Sequence, residues 1–206
     1  MLKVKKTIQL CFLVYVYSVY SCNKPNDVEI YYEDDLKILN EIIELNALTE
    51  ASSDKDNDNG DGIFEPLELG LQYWENNRLV YLDLATYPIG EKSFYLEYNI
   101  TTIPQSIGYL DSLWSLDLSF NQLTILPESI GNLSKLRWLR LTLNELTFLP
   151  SSISNLNNLK HLYLDHNKLY CVADTQEPSI IPDFLTDGSI ENVVGLYDQD
   201  CSLGQH

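Results

Sequence analysis

Asn57, Asn59, Asp61, Glu65 and Glu68 bring five oxygen-bearing side chains into the stretch "DKDNDNGDGIFEPLE" (Asp54–Glu68). Counted from Asn57, they fall at the first, third, fifth, ninth and twelfth positions. Ile63 supplies a backbone carbonyl at the seventh, Gly62 stands at the sixth and apolar Phe64 at the eighth. Alternate oxygen donors around a glycine turn suit a hard cation such as calcium, and a final carboxylate can give it two oxygens. A second register begins at Asp54 and uses Asp56, Asp58 and Glu65, but it puts Asn59 where the glycine is needed. A solvated acidic loop accounts for the same residues without a metal.

Other reactive side chains are sparse. His161, His166 and Asp165 lie near one another, and a metal site or an acid–base pair needs a third group that the neighbourhood does not offer. Surface positions on a strand and the turn after it are the competing reading. "SCNK" and "SSDK" match a Ser-x-x-Lys pattern by chance, and there is no G-x-S-x-G, phosphate-cradling glycine loop or C-x-x-C. More informative are large side chains at regular intervals: Tyr81, Phe120, Trp138, Arg140, His161 and Tyr163, with Asp117 and Asp165 among them. Aromatics and arginine of this kind favour binding over catalysis.

Those intervals come from a repeat. Leu110, Leu133 and Leu156 are 23 residues apart, and three further leucine columns follow: Leu113/Leu136/Leu159, Leu116/Leu139/Leu162 and Leu118/Leu141/Leu164. Asn121, Asn144 and Asn167 keep the step, as do Leu123, Leu146 and Leu169. The L-x-L pair alternates with period two, so its leucines enter a core and the residues between them face outward. Asparagine sits where the strand turns, and its amide can pair backbone groups the turn leaves open. Proline at Pro104, Pro127 and Pro150 fixes φ on the return path. One such unit cannot bury its own leucines; stacked units can.

This frame resembles the leucine-rich repeat family in its 23-residue form. The resemblance is closest over residues 110–169, with a looser start at "RLVYLDL" (Arg78–Leu84) and "NITTIPQSIGYL". The segment between is too long for one repeat. It holds an insertion, or "FYLEYN" is a shortened strand of its own. The resemblance implies an α/β solenoid: a short stack with parallel strands on a concave face and a ligand held there. The outward positions are then Tyr81, Asp83 and Ala85; Ser115, Asp117, Ser119 and Phe120; Trp138, Arg140, Thr142 and Leu143; and His161, Tyr163, Asp165 and His166. The acidic loop is similar to the calcium loop of EF-hand and dockerin-type motifs, with Asn57 where those families have aspartate.

A stack exposes leucines at both ends, so caps are required. Upstream, Leu36, Leu39, Ile42, Ile43 and Ala47 fall at helical spacing with acids outside, and "PLELGLQYWENN" reads as a short helix leading to the first strand. Downstream, "SIIPDFLTDG" reads as a helix ended by Gly188. The chain opens with Lys3, Lys5 and Lys6, an apolar run and "VYSC", which resembles the signal and lipobox of bacterial lipoproteins. That resemblance implies removal of residues 1–21 and a lipid on Cys22. Cys11 leaves with the signal, so Cys171 and Cys201 remain as a pair in an oxidising compartment. Joined, they resemble the clamped C-terminal caps of exported repeat proteins and stabilise by roughly 3–4 kcal/mol.

The resulting division is a signal over residues 1–21, an N-terminal cap with helix and acidic loop over 22–78, repeats over 79–169 and a C-terminal cap over 170–206. Thirty acidic residues against thirteen basic ones give a net charge of −17, which repels phosphate backbones and argues against nucleic acid. The expectation is a non-catalytic, lipid-anchored module of the bacterial cell envelope or outer-membrane surface. Its ligand is a protein, peptide or glycan. The alternative is a calcium-dependent module whose loop orders the N-terminal cap. Four strands give a sheet about 15–19 Å across, suited to a segment rather than a whole globular partner.

Overall fold

The computed structural model describes residues 31–48, 66–85, 98–169, 185, 188 and 190–195, with the backbone alone at Glu68. Helix α1 (Glu33–Leu45) comes first. A 3₁₀ turn (Pro66–Glu68) leads into strands β1 (Leu71–Glu75) and β2 (Arg78–Asp83). Strands β3 (Ser115–Asp117), β4 (Trp138–Arg140), β5 (His161–Tyr163) and β6 (Asn192–Val194) follow. They form one sheet in chain order; β1 runs antiparallel to β2 and every later pair is parallel. With two strands more than the repeat count, the sheet is about 24 Å across.

Parallel neighbours need a crossover, and here it is a 3₁₀ turn rather than an α-helix. Pro104, Pro127 and Pro150 hold φ at −68°, −69° and −63° in extended backbone, and each prolyl carbonyl accepts the N–H of the isoleucine three residues on. The turns Gln105–Tyr109, Glu128–Asn132 and Ser151–Asn155 stack directly. A Cβ on Gly108 would lie 2.5 Å from the Ser129 carbonyl, and one on Gly131 would lie 2.3 Å from that of Ser152. Glycine is therefore what lets adjacent crossovers approach.

The leucine columns form a single core between sheet and crossovers. Leu116, Leu139 and Leu162 pair across β3, β4 and β5, and all are fully buried. Beside them runs a ladder of amides. Asn121, Asn144 and Asn167 each accept a backbone N–H from the preceding repeat segment, from Ile100, Leu123 and Leu146 at 2.8, 3.0 and 3.1 Å. Their Nδ2 groups donate to carbonyls of their own strand and of the strand before: Asn144 to Leu141 and Leu118, Asn167 to Leu164 and Leu141. Just ahead of each amide, Phe120, Leu143 and His166 hold left-handed φ values of 57°, 55° and 53°. Only a turn fixed from both sides keeps large L-residues there.

The N-terminal end is closed by α1, which buries Ile38, Leu39, Ile42 and Ile43. Asp35 is buried as well, on the same face. It accepts two bonds from the Arg78 guanidinium at 3.0 Å and the Leu79 N–H at 2.9 Å, tying the helix to β2. Ala47, placed on that face by spacing, lies beyond the helix at φ 50° and is exposed, because the helix ends at Leu45 and Asn46 caps it. The Asn46 amide instead bonds Ile42 within the helix and Thr101 and Thr102 of the first repeat.

"PLELGLQYWENN" is not a helix. After one 3₁₀ turn it becomes β1, and Asn76 and Asn77, at φ 49° and 68°, make the tight two-residue link to β2. At the other end β6 extends the sheet, and Leu185 and Ile190 enter the core. The signal segment, Cys22, the loop donors Asn57, Asn59, Asp61, Ile63 and Glu65, the insertion after β2 and the Cys171/Cys201 pair all lie outside the described residues.

Candidate binding face

Side chains that leave the sheet opposite the leucines fall into rows across the strands. One row is Tyr81, Ser115, Trp138, His161 and Asn192; the next is Asp83, Asp117, Arg140, Tyr163 and Val194. The parallel register, set by the 23-residue step, brings residues far apart in sequence within one layer of each other.

The rows meet in a stack. The Trp138 and His161 rings lie 3.6 Å apart at 23°, and Tyr163 follows Trp138 at 6.4 Å and 11°. The Arg140 guanidinium sits 5.1 Å from the Trp138 ring and 5.4 Å from that of Tyr163. At the far side, Asn192 Nδ2 is 3.3 Å from His161 Nδ1, so β6 contributes to the stack's edge. All four stacked residues are half-buried and their outer surfaces are open.

Not every outward position is open. Asp117 is only 1 % exposed, and Ser115, Ser119, Asp83 and Ala85 are buried too. Small and short residues here lie between bulky cross-strand neighbours, as Ser115 lies between Tyr81 and Trp138. Asp117 is therefore a support rather than a contact residue. One of its oxygens accepts the Ser119 N–H at 2.9 Å and the other lies 3.7 Å from Arg140 Nη1. Phe120 and Asp165 are half-buried at the row ends, and Asp165 accepts the Thr142 hydroxyl at 3.3 Å. His166 is exposed on the turn. Among the described residues, no three His, Cys, Asp or Glu side chains group closely enough to hold a metal.

Two neighbouring groups carry shifted acidities. Burial, then the nearby Asp83 charge, pushes the Tyr81 phenol up to about 12. Burial also raises Asp83 above the usual carboxylate range, only partly offset by the Ala85 N–H it accepts at 2.9 Å. A carboxyl whose folded value is raised stabilises most when protonated and loses that contribution as pH rises through the folded value. Asp83→Asn, which keeps an acceptor for Ala85, should therefore raise the melting temperature near neutral pH. The gain should shrink to nothing below the carboxylate range, at about pH 3. Melting curves of both proteins across that interval check it.

The open stack was legible from spacing and residue type. The contribution of Asn192 was not, since β6 lies outside the repeat frame. Comparison with known proteins bears on the frame. A leucine-rich repeat family model matches residues 124–169 and a second such model matches residues 112–133. No curated protein matches the chain. Among solved structures it is similar to a leucine-rich repeat protein of Leptospira interrogans at 46% identity (34% of this chain, 18% of that one, TM-score 0.34). It is also similar to the ectodomain of the Arabidopsis receptor kinase HAESA at 31% identity (46% of this chain, 15% of that one, TM-score 0.38). A third is the ectodomain of the receptor kinase SOBIR1 from Arabidopsis thaliana at 18% identity (82% of this chain, 97% of that one, TM-score 0.42). The matched region spans less than a fifth of the first two chains. With the 23-residue frame, the stacked parallel strands and these matched family models, residues 112–169 of the chain form leucine-rich repeats.

Proposed function

We propose that the protein is a non-catalytic binding module that holds a peptide segment or loop of a protein partner on the face built around Trp138. The observation that carries this is the open stack of Trp138, His161, Tyr163 and Arg140 on a sheet whose backbone is already paired. Flat side chains with few rotatable bonds offer contact area at low entropic cost, and such residues concentrate binding energy. A sheet about 24 Å across accommodates an extended segment of about seven residues.

The setting is part of the proposal and rests on sequence. A lipid on Cys22 places the module at the bacterial cell surface, and a Cys171–Cys201 disulfide clamps the C-terminal cap. The test is photo-cross-linking from position 138 on intact cells, using a photoreactive residue in place of Trp138 and a second at exposed Glu145 as control. Partner bands that appear from position 138 and not from 145, and vanish with Arg140→Ala and Tyr163→Ala, support the reading. Identical band patterns from both positions would sink it.

A further inference from the structure

The chain is strongly acidic, yet one edge of the sheet gathers cations. An open cleft of about 690 Å³ runs along the ends where the parallel strands begin, lined among others by Glu75, Arg78, Trp114, Lys135, Arg137 and Asn158. Arg78 is neutralised, by Asp35 and by Asp111 at 2.9 Å. Lys135 and Arg137 are exposed, and neither has an ion-pair or hydrogen-bonding partner for its charged group among the described residues. Between these cations and β2 the Trp114 ring is 40% exposed, held at 6.0 Å from Tyr81. The Trp114 carbonyl accepts the N–H groups of Arg137 and Trp138, which fixes the wall of the cleft to β4.

We propose that this cleft is a second binding site, distinct from the stack on the sheet, and that it takes an acidic saccharide of the uronate class. Two cations that are uncompensated among the described residues call for an anionic group in a molecule whose overall charge repels anions. Guanidinium and ammonium donors make charge-assisted hydrogen bonds to carboxylates, roughly twice as strong as neutral ones. The exposed indole offers a flat apolar surface to the C–H face of a pyranose ring. The Glu75 carboxylate shares the cleft, and the Asp111 carboxylate stands beside it on Arg78. These groups accept hydrogen bonds from a sugar's hydroxyls, donors that an ionised polyglutamate side chain does not offer. A ligand bearing one carboxylate per ring and several hydroxyls satisfies both kinds of wall. The volume lies in the range of small-molecule sites and suits a short oligosaccharide.

Calorimetric titration of the full chain with trigalacturonate tests this, with maltotriose and a short polyglutamate peptide as comparisons. Trigalacturonate should bind and maltotriose should not. Lys135→Ala/Arg137→Ala should weaken binding at least about tenfold, as loss of charge-assisted bonds does, and Trp114→Ala should weaken it comparably. Trp138→Ala should leave it unchanged, which separates this site from the sheet face. Unaltered thermal melts of the variants establish that they fold. The proposal is overturned by no trigalacturonate heat up to about 10 mM, by equal binding of maltotriose, or by affinity indifferent to the Trp114 and Lys135/Arg137 substitutions. Tighter binding of polyglutamate overturns it in favour of an acidic protein segment.

Discussion

Asn144→Ala should lower the unfolding free energy by about 3 kcal/mol, far more than deleting a short side chain normally costs. The side chain is buried and bonds the Leu123 N–H at 3.0 Å, the Leu118 carbonyl at 2.9 Å and the Leu141 carbonyl at 3.1 Å. Alanine leaves the Leu123 N–H without a partner in the core, at about 1–3 kcal/mol. The two carbonyls fare better, because Leu118 O also accepts from Asn121 and Leu141 O from Asn167. That sharing gives a sharper expectation. In Asn144→Ala/Asn167→Ala the Leu141 carbonyl loses both amides, so the double variant should lose more than the single losses combined. Denaturant unfolding of the three variants measures the coupling. Strict additivity would show that the shared carbonyls contribute nothing.

The second large effect contrasts two neighbours on one strand region. Leu141→Ala should cost about 2–5 kcal/mol, because the leucine is fully buried in the continuous core and its loss leaves a cavity. Trp138→Ala removes a far larger side chain and should cost only about 1 kcal/mol, the value of ring contacts on a half-open surface. Thermal melts of both variants decide the matter. Were the tryptophan variant to unfold as readily as the leucine variant, Trp138 would belong to the core and the outward register would be shifted by one residue.

What sequence made legible was whatever repeats. The leucine columns and the asparagine step state the strand, its inward face and its turn at three places, so local ambiguity cancels. Features stated once were harder to see. Asp35 lines up with Ile38, Leu39 and Ile42 on one helical face, but only the distant Arg78 explains an acid there. The Asn76–Asn77 link lacks the glycine that usually marks a hairpin, and both asparagines nonetheless adopt left-handed φ. Strand β6 is only three residues long and lies outside the 23-residue frame, so periodicity cannot announce it. Burial of Ser115 and Asp117 depends on the size of cross-strand neighbours, which alternation within one strand does not encode. The sheet stack was visible because its members sit in the repeat; the cation-lined cleft was not, because it combines the β1–β2 hairpin with the linkers before β3, β4 and β5.

The doubly used carbonyls of the asparagine ladder also bear on how the protein yields to force. A tether pulling on one end of a row of independent units would peel them one at a time, each with its own rupture. Here Leu118 O and Leu141 O each hold two successive amides, so detaching one repeat strips the next of part of its pairing. Under load the interior repeats should give way together, in a single extension step rather than a staircase. A module anchored at one end and gripped by a partner at the other would then hold its shape up to one threshold.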